Sequence, residues 1–162
     1  MLEDKCQIDL RQLSPMKYDD ASWHSSGEFP RSSPPEYGAT HIALFMRWCF
    51  SQGWIGETHR SEEPEDTARM IAGNLPAVEY FLKYCDGKFT DDDLDEMGNE
   101  FARKYYGDNG LYLEDYAKHF GKLMYVAPES AHDFKIFSAM IERRLKSGVL
   151  TKHDHKSWWK LW

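Results

Sequence analysis

The stretch that most limits how this chain can fold runs from about Ala39 to Ser51, ATHIALFMRWCFS. Ile42, Phe45, Met46 and Cys49 recur at helical spacing. Ala43, Leu44, Trp48 and Phe50 fill the other faces, and Arg47 is the single formal charge. A helix apolar all round has to be covered on most sides. The spacing therefore predicts a buried central helix at about 39–52, stopped by Gly53, with the rest of the chain wrapped around it.

The remaining punctuation predicts what does the wrapping. Residues 17–38 hold Asp19-Asp20, Ser25-Ser26-Gly27, Pro30 and Pro34-Pro35, the residues of turns. They read as a long ordered loop pinned by Tyr18, Trp23, Phe29 and Tyr37. Residues 1–15 read as an N-terminal extension. Thr58 to Pro64 reads as a charged loop. Helices are expected over Glu65–Ala72, Ala77–Tyr84, Asp91–Tyr106, Leu111–Phe120 and from Ser130 to about Lys146. Thr90 is expected to cap the third of these, with Asp91, Asp92 and Asp93 on its positive end. Ser130 and Asp133 resemble a capping box for the last, whose inward stripe is Phe134, Phe137, Ile141 and Leu145. Leu123 to Val126 reads as a short extended piece. The expectation is a mainly α, single-domain bundle of five or six helices over residues 16–150, with little or no strand. A basic aromatic tail over 151–162 packs on the domain or on a partner.

Charge and cysteine usage remove several functions. Acidic residues number 27 against 20 basic ones, a formal net charge of −7. Such a surface repels nucleic acid and anionic lipid and suits a basic partner. Three widely spaced cysteines, Cys6, Cys49 and Cys85, without a CxxC pair, argue against a disulfide framework. The first residues, MLEDKCQIDLRQL, lack a secretory apolar region, and no apolar run is long enough to span a membrane. A cytoplasmic location is expected.

Chemistry-bearing motifs are few. Asp91, Asp93 and Asp95 imitate a calcium loop, but Glu96 stands where glycine is needed and Ala102 where a bidentate carboxylate is needed. His153-Asp154-His155 offers too few ligands on a tail. Cys49 lies within the apolar helix, where burial suppresses a thiolate. His24 and His41, with Asp19 or Asp20 nearby in sequence, form the one set suited to proton transfer. His41 at the start of the buried helix is better read as tying the loop to that helix through a carboxylate. Neither a nucleophile nor an oxyanion turn accompanies the pair, so no catalytic residue, cofactor or metal is expected. Trp158, Trp159 and Trp162 crowd the end of the chain, as buried or interface indoles do.

The segment MKYDDASWH, followed by GEFPRSSPPEYGATHIALFMRWCFSQGWIGE, resembles an uncharacterised bacterial domain family whose members read roughly YDxxxWHxxGDFPxxLPPExGxTHIGxFLxWAIxxGLxGE. The match takes in Tyr18, Asp19, Trp23, His24, Gly38, Thr40, His41, Gly53, Gly56 and Glu57, among others. Glu28, Ser33 and Ala43 depart from the pattern. Members resemble immunity proteins of polymorphic-toxin systems, the class of toxins that type VI secretion delivers. The resemblance implies a protein that occludes a cognate toxin without chemistry of its own, and the acidic surface suits a basic, nuclease-like one. The acidic residues suited to that contact are Glu57, Glu62, Glu63, Glu65 and Asp66, and separately Asp91, Asp92, Asp93, Asp95 and Glu96. Trp158 and Trp159 are candidates too. Tyr18, Asp19, Trp23, His24 and His41 are expected to anchor the loop. Two alternatives stand beside this reading: a small hydrolase-like enzyme using His24/His41 with Asp19/Asp20, and a structural subunit that forms a homodimer through its tail.

Overall fold

Every side chain from Thr40 to Phe50 is buried in α1 (Thr40–Ser51), as its all-round apolar surface requires. The computed structural model describes residues 14–27 and 29–154. Expectations placed on 1–13, on Glu28 and on Trp158, Trp159 and Trp162 fall outside the described residues. Six further α-helices surround α1 among the described residues: α2 (Glu57–Ser61), α3 (Pro64–Ala72), α4 (Ala77–Tyr84), α5 (Glu96–Tyr105), α6 (Tyr112–Phe120) and α7 (Ala131–Ser147). The fold is mainly α, with one small antiparallel sheet of β1 (Lys17–Asp20) and β2 (Lys88–Thr90).

Packing follows from the apolar stripes. α1 lies against α3, α4 and the 3-10 turn Pro35–Ala39. Phe45 sits at the centre of a ring cluster, with Tyr112 at 4.8 Å, Tyr106 at 4.9 Å, Phe89 at 5.9 Å and Phe101 at 6.0 Å between centroids. Burial of each such ring contributes about 1.5–3 kcal/mol, so this cluster, fed from α1, β2, α5 and α6, dominates the core. Arg47 is buried as well, its guanidinium 3.7 Å from the centre of the Phe134 ring on α7. On α7, Phe137 and Ile141 are buried while Leu145 is 41% exposed, so the inward stripe ends one turn early.

Three local expectations change. Thr58–Pro64 is not all loop: α2 occupies its start, opened by extended Gly56. The helix expected over Asp91–Tyr106 is broken at Leu94, which is extended. Thr90 and Asp93 close a capping box around a 3-10 turn, Asp91–Asp93, and Asp95 then accepts from the Gly98 amide to start α5 afresh. Two competing caps within six residues divide one helix into two pieces. Leu123–Val126 is turn rather than strand, with the Met124 amide donating to Gly121 and the Val126 amide to Leu123.

The sheet was not legible locally. Asp19 pairs with Phe89 and Asp20 with Lys88, with an irregularity between Lys17 and Asp19. That irregularity re-aims the strand, and Asp19 turns inward.

Candidate functional site

Asp19 is the hub of the loop. Its Oδ1 accepts from His24 Nε2 at 2.7 Å and from the Asp20 amide at 2.7 Å. Its Oδ2 accepts from Tyr106 Oη at 2.5 Å and meets His41 Nε2 at 3.3 Å. A carboxylate has about four lone-pair positions, and all four are used. Burial alone would raise the Asp19 pKa, but His24, His41 and Tyr106 together hold it well below the ordinary carboxylate range. Burial pushes His41 the other way, towards the neutral imidazole, against the pull of Asp19. The His24 and His41 rings meet edge to face at 4.3 Å. His24 keeps 29% side-chain exposure, against 8% for His41. The cluster ties β1, the loop, α1 and the end of α5 to one another. Beyond its amide, Asp20 stays apart from it, the side chain pairing with Lys17 at 2.9 Å and capping Ser22.

The other loop residues divide. Tyr18 anchors as expected: its hydroxyl donates to Asn99 Oδ1 at 2.8 Å and its ring lies 5.1 Å from Phe89. Trp23 does not anchor by burial. It is 60% exposed, with Lys17 Nζ 5.4 Å from its ring. The single-turn 3-10 segment Ala21–Trp23 points this indole outward, away from the core that takes its neighbours.

A second buried cluster has no counterpart in the sequence reading. His59 on α2 places Nε2 2.9 Å from Asp93 Oδ1 and 3.9 Å from Cys85 Sγ. Its Nδ1 is 2.8 Å from Tyr80 Oη, which lies 2.7 Å from Thr67 Oγ1. No periodic pattern surrounds His59, because its helix is too short to show one. The run Asp91-Asp92-Asp93 reads as three equivalent helix-start acids, which hides that the third turns inward.

The acidic candidates do not share one fate. Asp93 is buried and belongs to the His59 cluster, so it is not part of a contact surface. Asp66 is engaged by Arg69 at 2.6 Å, Lys83 at 3.2 Å and Tyr84 at 2.5 Å. Asp91 accepts from the Met16 amide at 2.7 Å, and Asp95 caps α5. Glu57, Glu62, Glu65, Asp92 and Glu96 are exposed, and Glu63 is half-buried. The two acidic segments, 57–66 and 91–96, are neighbours in space. Gly56 donates its amide to the Asp93 carbonyl at 2.9 Å, and a Cβ on Gly56 would stand 2.1 Å from the Asp92 carbonyl oxygen. Beside this backbone-on-backbone approach lies a cleft lined by Glu57, Asp91, Asp92 and Asp95 together with Ile55 and Leu94. Glu62, Glu63 and Glu65 line a separate depression. Arg60 is the cation in the first cleft, held by the Gly53 carbonyl at 2.9 Å and by Asp95 at 3.4 Å. Neither depression is lined by His24 or His41.

Fold and side chains together define a small, mainly helical domain with, among the described residues, two buried imidazole–carboxylate clusters and an acidic cleft beside α2. The chain belongs to the family described as Domain of unknown function (DUF7832), which it matches over residues 17–129. No curated protein and no solved structure matches it. No helix among the described residues is long and apolar enough to cross a membrane.

Proposed function

We propose that this domain is an immunity protein: it binds a basic, nuclease-like toxin in the cytoplasm and neutralises it by covering the toxin's active site. The observation that carries the reading is the composite acidic face. Glu57 from α2 and Asp92 from the 91–93 turn flank one cleft, and Glu62, Glu63 and Glu65, at the junction of α2 and α3, line a separate depression. Such a surface raises the rate of encounter with a basic partner and disfavours neutral ones. The saturated Asp19 carboxylate supports the same reading, because every lone pair that could take a proton from a substrate is already committed to holding the loop.

The test is a protection assay in cells that express the toxin-like protein encoded beside this gene, paired with calorimetry on the two purified proteins. Wild-type protein should protect and bind. Glu57→Lys combined with Asp92→Lys should abolish protection and weaken binding by 100-fold or more, on the order of 3 kcal/mol. Full protection by the doubly reversed variant, or a neighbouring protein without toxicity, ends the proposal.

One observation favours a second reading, proton transfer at His24. That imidazole is partly exposed and its Nε2 is oriented by Asp19, as in a histidine–carboxylate base. His24→Ala separates the two: it should leave toxin protection intact, whereas an enzyme would lose turnover.

A further inference from the structure

We propose that His59, Cys85 and Asp93 bind one zinc ion beneath the acidic face. The three come from α2, from the end of α4 and from the 91–93 turn. Their donor atoms, His59 Nε2, Cys85 Sγ and Asp93 Oδ1, all lie within 4.8 Å of one another. The Nε2–Oδ1 separation is 2.9 Å and the Nε2–Sγ separation is 3.9 Å. Tetrahedral zinc, with bonds of about 2.3 Å to sulfur and about 2.1 Å to nitrogen and oxygen, needs edges of about 3.4 and about 3.6 Å. The two measured edges need changes of about half an ångström or less, and the third, between sulfur and carboxylate, has to close from at most 4.8 Å.

The atoms that face away from the centre are the ones already held. His59 Nδ1 is fixed by Tyr80 Oη, which is itself fixed by Thr67. Asp93 Oδ2 accepts from the Thr90 amide at 2.7 Å and from its hydroxyl at 3.2 Å. Outer partners of this kind set the tautomer and aim of metal ligands. The Asp19 cluster lacks this division, since both of its carboxylate oxygens carry two donors. Nor is the set a cysteine–histidine–aspartate catalytic triad. A triad splits thiol and carboxylate between the two imidazole nitrogens, whereas here one nitrogen faces both.

Charge points the same way. Asp93 is buried, and among the described residues its ion-pair partner is His59 alone. A thiolate and a carboxylate together balance a divalent cation, and sulfur with imidazole favours zinc over magnesium or calcium. Without a cation, burial first and Asp93 second keep the Cys85 thiol protonated. On binding, the Cys85 S–H and His59 Nε2–H bonds break as the Zn–S and Zn–N bonds form; the thiol proton leaves to solvent, the imidazole moves to the Nδ1–H tautomer that donates to Tyr80 Oη, and nothing is oxidised or reduced.

The site does not depend on the toxin reading, and its test uses metal alone. Full-length, untagged protein from zinc-supplemented medium should carry close to one zinc per chain by elemental analysis. Replacement with cobalt should produce a thiolate-to-cobalt absorption band. Cys85→Ser should lose both the zinc and the band. His24→Ala should keep both, which separates this site from Asp19. A Cys6→Ser/Cys49→Ala protein, in which Cys85 is the sole thiol, should keep the band and so covers the case in which Cys85→Ser misfolds. Wild-type protein with no zinc and no band under these conditions overturns the proposal. So does retention of zinc by a folded Cys85→Ser protein.

Discussion

A single carboxylate decides whether the loop before α1 has a fixed shape. Asp19→Ala would strand the donors of His24, His41, Tyr106 and the Asp20 amide in a buried setting. An unsatisfied buried donor costs about 1–3 kcal/mol, and partial relaxation leaves an expected loss of about 3 kcal/mol. Urea midpoints measure it. Asp20→Ala, one residue on, removes a cap from a short turn and should cost about 1 kcal/mol. Equal losses at the two positions would contradict the hub role of Asp19. Trp23→Ala should change stability by less than about 0.5 kcal/mol, as surface substitutions do. Its place in the matched motif suggested an anchor; the exposed ring shows that the motif does not mark a buried side chain at that position. Sequence placed His41 near a carboxylate but did not reveal Tyr106, which lies 87 residues from Asp19. Contacts at that range leave no spacing signal in a single chain.

Among the elements, those with their own caps and stripes were readable. α4 spans Ala77–Tyr84 as its pattern predicts, and α7 opens on Ser130 with Asp133. What was not readable depends on partners elsewhere in the chain. β1 and β2 are short and each is completed by the other. α2 is stabilised by what His59 touches rather than by its own propensity, since five residues make a marginal helix. Gly56 carries the contact between α2 and the 91–93 turn. Gly56→Ala would push its methyl into backbone that cannot swing aside. The expected loss is about 2 kcal/mol, typical of overpacking, read as a lower thermal midpoint. Binding to the proposed basic toxin should weaken with it, because the two acidic segments separate.

For the whole molecule, pH acts on two groups of opposite ordinary charge within the Asp19 cluster, and outside it burial lowers the pKa of His119 in the same direction as that of His41. His41 has a folded pKa below its unfolded value of about 6.5. Its contribution is present above that value and is lost as pH falls from about 6.5 towards the folded pKa, because the unfolded chain binds the proton first. Asp19 also has a lowered folded pKa. Its contribution is present above about 4 and fades only as pH drops further, towards the folded value. Stability should thus decline in two stages on acidification, and His41→Gln should shrink the earlier one to the part that His119 contributes. Denaturant titrations between pH 8 and pH 3 distinguish this from a single late transition. The net charge of −7 adds a general dependence on ionic strength. Association with a basic partner should slow as salt shortens the Debye length, while dissociation changes little.

The close approach at Gly56 also bears on how this surface can be imitated or detected. Because it joins residues some 35 positions apart, it is a discontinuous epitope. Synthetic peptides copying either half inherit the charge but not the arrangement, and neither should compete with the intact domain. Antibodies raised against that region should stain native blots and fail on denatured ones.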